Sequence, residues 1–208
     1  MSLDRSDSCH FFSRLFHFFS RRTHVILEGR LRREPTLFIN FRFPWGFMIF
    51  YYQVPEKLVP YMTNTPIPID RKLSVQEKVA AAWLQGSTEY RNERLKLIPI
   101  ITEGPWVVRN MVGGRPAIIG KRLPVKYTLQ ESGDPQSHMA PFLCATLDIG
   151  SSSAAAKRIV SVCRRYMSSL TVDIGFCIQS ESPEELPEQM LGSIRVHGPD
   201  PLRALHLC

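Results

Sequence analysis

The stretch from Leu37 to Val54 most constrains the fold, because it has the pattern of two strands joined by a tight turn. Apolar side chains at alternate positions of Leu37–Phe43 indicate a strand with one buried face. Pro44-Trp-Gly46 is typical of a turn, and Phe47–Val54 is apolar on both sides, as expected of a central strand. The two segments are predicted to pair as a hairpin, so the protein must contain a sheet and elements that cover it.

Two helices are predicted from capping and periodicity. Ser74-Val-Gln-Glu77 has capping-box spacing, and Gly86 ends the helix that follows. The second helix is predicted to begin at Ser151 and to carry one apolar stripe, with basic residues on its other side. The stripe consists of Ala156, Ile159, Val160, Cys163, Met167 and Leu170, and the basic residues are Lys157, Arg158, Arg164 and Arg165.

Apolar runs separated by turn residues predict the remaining strands. They are Arg94–Ile101, Trp106–Val112, Ala117–Leu123, Val125–Leu129, Phe142–Ile149 and Leu191–Val196, while Val172–Ile178 fits either a helix or a strand. This order predicts an α+β fold. In it, a curved antiparallel β-sheet packs around the long C-terminal amphipathic helix, with a shorter helix between strands.

Composition divides the chain into a leader, residues 1–33, a folded domain, residues 34–198, and a tail, residues 199–208. The leader is rich in Phe and Arg, and apolar residues at 12, 15, 16 and 19 fit one face of a short helix. Such a helix would lie in a membrane interface with its aromatic side down. The alternatives are a poorly ordered leader or a replacement for sequence lost by truncation.

The 208 residues include 26 Lys and Arg against 19 Asp and Glu, a net charge of +7. This excess favours anionic partners, which include phospholipid surfaces, phosphorylated ligands and nucleic acid, although basic globular proteins without such partners are equally common. No RNA-binding signature, zinc finger or helix-turn-helix spacing is present, which makes nucleic acid an unlikely partner. Neither a signal peptide nor a membrane-spanning segment is evident, so a cytoplasmic protein, with or without peripheral membrane association, is predicted.

Catalytic and cofactor chemistry lack support in the sequence. The five cysteines are scattered without a C-x-x-C pair, which gives no zinc motif and indicates reduced thiols. Gly114–Lys121 has the wrong glycine spacing for a phosphate-binding loop, and Gly150–Ser153 lacks the second glycine of a hydrolase nucleophile turn. We therefore predict no enzyme, no metal and no cofactor.

Three features are candidates for binding an anionic lipid. At the predicted helix start, Gly150, Ser151 and Ser152 offer amides and hydroxyls to an anion, with Lys157 or Arg158 one turn further on. The same corner is also explained as a simple helix cap. The second candidate is a basic helix face formed by Arg158, Arg164 and Arg165, which is otherwise a solvated face.

The third candidate is a pair of tryptophans, Trp45 and Trp106, which lie in turns beside glycine and proline. In such positions a tryptophan anchors at a lipid interface or lines the mouth of a pocket. The alternative is that both are partly buried core residues.

Four phrases in the second half of the chain resemble the enhanced-disease-resistance-two C-terminal domain. They are Arg94-Leu-Lys-Leu-Ile-Pro99, Glu103-Gly-Pro-Trp-Val-Val108, Leu147-Asp-Ile-Gly-Ser-Ser-Ser153 and Glu185-Leu-Pro-Glu-Gln-Met-Leu-Gly192. Asn92 and Phe38–Pro44 extend the resemblance, which covers roughly Leu37 to Val196. Members of this family occur in plants and protists, often downstream of pleckstrin-homology and lipid-binding START modules. They carry an Arg-Gly-x-x-Tyr-like element before the hairpin that is missing here, so an N-terminally truncated domain is expected.

The resemblance implies a non-catalytic, lipid- or membrane-associated regulatory domain. It implies proximity to lipid because relatives carry lipid-binding modules upstream. The alternative is a protein-interaction or structural module of a larger regulatory protein, without lipid binding of its own.

Overall fold

Among the described residues, two β-sheets and five short α-helices make up an α+β structure. The computed structural model describes residues 33–112, 114–123, 125–131 and 140–200, together with the backbone of 14–20 and 205–206. The first sheet has six strands and the second has four.

The six-stranded sheet is built on the hairpin predicted from the sequence. Its strands are β1 (Arg14–Ser20), β2 (Thr36–Phe43), β3 (Gly46–Gln53), β6 (Val125–Gln130), β7 (Phe142–Asp148) and β10 (Leu205–His206), in the order β10-β1-β3-β2-β7-β6. The β2 and β3 strands are antiparallel, with Thr36 opposite Gln53 and Phe43 opposite Gly46. β2 also pairs with β7, in parallel, and β1 with β10, in parallel, whereas the other pairs are antiparallel.

The four-stranded sheet is antiparallel throughout. Its strands are β4 (Leu95–Glu103), β5 (Ala117–Ile118), β8 (Thr171–Ile178) and β9 (Gln189–His197), in the order β5-β4-β8-β9. The segment that fitted either a helix or a strand is therefore the strand β8.

Five α-helices connect these strands: α1 (Val75–Gln85), α2 (Thr88–Arg94), α3 (Trp106–Val112), α4 (Ile119–Arg122) and α5 (Ala154–Tyr166). The predicted capping box is present at α1, where Glu77 N donates to Ser74 Oγ and Ser74 N donates to the Glu77 carboxylate. Ser87 caps α2 in the same way, by accepting from Tyr90 N. This second cap places α2 directly after α1, a helix that the sequence patterns did not predict.

The core lies between the two sheets. Phe176 on β8 contacts the rings of Phe41, Phe50 and Tyr52 on the hairpin, at centroid distances of 5.6 to 6.1 Å. Trp83 of α1 is fully buried in the same cluster. Large aromatic side chains from both sheets therefore fill the space that the prediction had given to a long helix.

The predicted C-terminal helix is present but shorter and more peripheral than expected. α5 has 13 residues, a 3-10 turn at Met167–Ser169 follows it, and no residue of α5 itself is fully buried. Met167 and Leu170 are buried, while Ile159, Val160 and Cys163 are half-buried. The α+β class is confirmed, but the idea of a single sheet packed around this helix is wrong, because sheet-to-sheet packing forms the core.

Two predicted strands are helical instead. Trp106–Val112 forms α3, and most of Ala117–Leu123 forms α4 after the two-residue strand β5. At α3, Gly104 adopts a positive φ of 134°, and the Pro105 carbonyl accepts hydrogen bonds from Val108 N and Arg109 N. This turn starts a helix in spite of the β-branched residues that follow.

In the leader, conversely, a segment that was predicted to be helical forms a strand. Its helical interpretation is wrong over Arg14–Ser20, which forms β1 and pairs with β3 along its whole length. Phe12 lies outside the described residues. The predicted domain limits at 34 and 198 remain predictions.

Candidate functional site

The serine corner before α5 is held by its own hydrogen bonds. Gly150 N donates to Asp148 Oδ1 at 2.9 Å, Ser151 Oγ donates to Asp148 O at 2.9 Å, and Ser152 Oγ donates to Ile149 O at 2.7 Å. The helix cap is Ser153, which accepts from Ala156 N, so the prediction that Ser151 caps the helix is wrong. With these donors engaged and a carboxylate beside them, the corner is poorly suited to bind an anion.

The charged residues on the exposed side of α5 are all cationic. Lys157, Arg158, Arg164 and Arg165 are exposed, and α5 contains no acidic residue. Arg158 and Arg165 are seven residues apart, which is about two helical turns, and therefore lie on the same side of the helix. No carboxylate among the described residues forms an ion pair with any of the four.

Trp45 has a packing role that separates it from the other candidates. The guanidinium carbon of Arg164 lies 4.8 Å from the Trp45 ring centroid, which is a cation–π contact. The opposite neighbour of Trp45 is Phe43, stacked at 4.7 Å, and Phe43 in turn stacks on Phe41. We call these four side chains the aromatic stack. It fixes α5 to the hairpin and uses both Trp45 and Arg164 in doing so.

Trp106, in contrast, points into solvent. Its side chain is at the first position of α3 and is 69% exposed. Gly104 packs so closely against Leu170 that a Cβ at this position would overlap with the leucine side chain. The Pro105 carbonyl accepts the first hydrogen bonds of α3. These two contacts hold the backbone that precedes Trp106. α3 packs against α5, so the helix that carries the exposed indole is a neighbour of the cationic helix. We call Trp106, Lys157, Arg158 and Arg165 the basic–tryptophan face.

The most buried charges belong to a cluster that the sequence patterns did not identify as such. Arg94 is 3% exposed; it forms ion pairs with Glu181 and Glu185 and lies over the Tyr90 ring at 4.6 Å. Beside it, Lys96 Nζ contacts the Glu188 carboxylate at 2.5 Å. Arg94 and Glu185 open two of the phrases that carried the family resemblance, so these phrases meet in space. The sequence signal that could have identified this cluster was the acidic composition of Glu181–Glu188.

Gly192, the last residue of one phrase, has a structural role, and so do Gly120 and Arg91, which lie outside the phrases. A Cβ at Gly192 would overlap with the buried ring of Tyr52, and one at Gly120 would overlap with the backbone of Asn92. Arg91 is buried and donates to the carbonyls of Trp83 and Leu84 at the end of α1. These close contacts account for glycine at positions 120 and 192 and for arginine at position 91.

Three free cysteine thiols are buried or half-buried among the described residues. Burial raises the pKa of the Cys144, Cys163 and Cys177 thiols, which disfavours the nucleophilic thiolate. Thr171 Oγ1 lies 2.5 Å from Glu103 Oε2 and 2.7 Å from His197 Nδ1. In this trio the carboxylate bonds the hydroxyl rather than orienting the imidazole as a triad requires.

The outer face of the four-stranded sheet carries an open groove of about 530 Å³. Its floor is Gly175, its walls include Ile98, Ile100 and Met190, and the Asp173–Arg195 ion pair lies at one side. Within the described ranges, no three His, Cys, Asp or Glu side chains are grouped so as to hold a metal ion. None of the helices described has both the length and the apolar character needed to cross a bilayer.

An α+β domain with a buried Arg–Glu cluster and a cationic surface helix is thus the class of protein that the structure defines. The family model described as "Protein ENHANCED DISEASE RESISTANCE 2, C-terminal" matches residues 4–200, and the chain belongs to this family. The match begins well before Leu37, where the sequence phrases placed the start of the resemblance.

One curated relative is "Protein ENHANCED DISEASE RESISTANCE 2-like" from Arabidopsis thaliana. It is 36% identical over 114 residues, which cover 55% of this chain and 14% of the relative. The match thus spans a small part of that relative's length. No solved structure matches the chain significantly.

Proposed function

We propose that this chain is a non-catalytic regulatory module of a larger protein and that it associates peripherally with anionic membranes. The observation that carries the proposal is the basic–tryptophan face, where α3, whose Trp106 indole is 69% exposed, packs against a helix with four cations and no acidic residue. Family membership supports the regulatory part, since the matched relative is much longer than the domain.

The physical basis is additive electrostatics combined with an interfacial anchor. A Lys or Arg near an anionic leaflet contributes about 1 kcal/mol, and the attraction falls off within a Debye length. Tryptophan favours the headgroup region, where its apolar body and its N–H group are both accommodated. Lys157, Arg158 and Arg165 supply the charge, whereas Arg164 is already engaged with Trp45. The proposed location is the cytoplasmic side of a membrane, where anionic lipids are concentrated.

Charge reversal at two positions tests the proposal. We expect the double variant Arg158→Glu, Arg165→Glu to lose about thirtyfold or more in affinity for phosphatidylcholine vesicles that contain roughly one third phosphatidylserine. Trp106→Ser should weaken binding further. The measurement is vesicle flotation at low and high salt, since the electrostatic contribution should fade as salt rises.

The matched control is Arg71→Glu, Lys72→Glu, which changes the net charge equally at two exposed positions of a loop outside α5. The control should float like the unmodified protein. Equal losses in both double variants would show that net charge alone attracts the protein. Absence of flotation with neutral and anionic vesicles alike would refute membrane association and favour a protein-interaction module.

A further inference from the structure

The strand β9 forms one edge of the four-stranded sheet. Its only strand partner among the described residues is β8. An edge strand presents unpaired main-chain N–H and C=O groups, which other chains can use as a template. Which residues of β9 present these groups follows from the register.

Gly198 N donates to Leu170 O at 2.8 Å, which extends the β8–β9 register in which Thr171 is opposite His197. Residues 170 and 198 are therefore a hydrogen-bonded pair, and such pairs alternate with pairs that do not bond each other. The main-chain groups of Ser193, Arg195 and His197 consequently point away from β8, towards the open edge. No described residue forms a hydrogen bond with them.

The side chains of the same three residues lie on the outer face of the sheet, the face that carries the groove. Ser193 is opposite Gly175 on β8, and Gly175 is opposite Ile98 on β4. Because Ser193 and Gly175 are small, this row of residues across the sheet forms a notch that leads to the floor of the groove. In the next row, Arg195 Nε and Nη2 donate to the Asp173 carboxylate at 2.6 and 2.7 Å. The side chain is 64% exposed, and its Nη1 forms no hydrogen bond with a described residue, so it can donate to a second carboxylate.

We propose that the edge of β9 binds an extended segment of a partner protein, which adds to the sheet as a fifth strand. Main-chain hydrogen bonds to Ser193, Arg195 and His197 supply the affinity. Specificity comes from an apolar side chain opposite Ser193, which enters the notch over Gly175. It also comes from an acidic side chain two positions away, opposite Arg195. This inference is independent of membrane binding, since the two surfaces share no residue.

A second copy of the chain is a poorer occupant. Antiparallel self-pairing centred on Arg195 would bring the Arg195 side chains of two chains together, and each chain carries a net charge of +7. Like charges at short range across adjacent strands are destabilising. Charge complementarity therefore selects an acidic extended segment.

The test uses blocked, threonine-rich octapeptides in which leucine and aspartate are two positions apart, in both orders. Fluorescence anisotropy with the full chain should show saturable binding of one order, and lysine in place of aspartate should weaken it about tenfold. Arg195→Glu should reverse that preference. Failure of both peptide orders to bind, or equal binding of the aspartate and lysine peptides, would overturn the proposal.

Main-chain recognition is tested separately from side-chain recognition. Ser193→Pro removes an N–H that points away from β8, so pairing within the sheet is retained while peptide binding should fall about tenfold. Ser193→Ala is the matched control and should bind normally. N-methylation of the peptide amides that face β9 should abolish binding without altering the protein.

The proposal is wrong if these changes have no effect on peptide binding, or if the amides of Ser193, Arg195 and His197 already exchange slowly in the free protein. It is equally wrong if sedimentation shows dimers that Ser193→Pro dissociates.

Discussion

Replacing Arg94 with leucine is expected to lower the free energy of unfolding by about 3 to 5 kcal/mol, the usual cost of breaking a buried ion pair. The guanidinium is buried between β4 and the acidic loop, where it neutralises Glu181 and Glu185. Leucine fills part of the volume but leaves Glu185, which is only 25% exposed, without its cation. Equilibrium denaturation by urea, followed by circular dichroism, measures the effect.

The pH dependence distinguishes this mechanism from simple loss of packing. The hydrogen bond from Arg94 lowers the pKa of Glu181 below its ordinary value of 4.5. The resulting stability is fully present above pH 4.5 and is lost as the pH falls through the lower, folded-state pKa. The difference between unmodified protein and Arg94→Leu should therefore narrow in acid. A difference that stays constant down to pH 3 would indicate that volume, rather than charge, sets the cost.

Gly192→Ala is expected to destabilise the protein by about 2 to 4 kcal/mol, although it adds a single methyl group. The new Cβ would overlap with the ring of Tyr52, which is 1% exposed and packs on Phe176. A fully buried ring cannot rotate away, so β9 must shift from the hairpin. The midpoint of thermal or urea unfolding reports the loss.

Gly175→Ala is the matched control on the neighbouring strand. There the added Cβ would have no neighbour closer than 3.8 Å, and alanine restricts the unfolded chain more than glycine does. We expect this variant to be neutral or slightly more stable. If both glycine variants lost the same stability, backbone conformation rather than contact with Tyr52 would be responsible.

Local signals in the sequence predicted the elements whose determinants are local. The hairpin followed from alternation and a turn, and α1 followed from its capping box. α3 was missed because its residues favour a strand, while the turn at Gly104 and Pro105 sets its conformation. The division into two sheets was missed because strand partners such as β2 and β7 are about a hundred residues apart, and no local pattern encodes their parallel pairing.

The candidate sites divide in the same manner. Helical periodicity was enough to place Arg158 and Arg165 on an exposed side, because that arrangement depends on α5 alone. The role of Trp45 depends on Arg164, which lies far along the chain, and the role of Arg94 depends on a loop that follows β8. Contacts of this kind between distant segments are visible only once the fold is known.

The aromatic stack has a mechanical consequence. Phe41 touches Phe50 and Phe176 at the centre of the molecule, and the other end of the column is a guanidinium on the surface helix. A force that tilts or lifts α5 is therefore transmitted through the aromatic stack, from Arg164 to Phe41, to the core between the two sheets. A partner that binds to the outer side of α5 therefore also acts on the interior of the molecule.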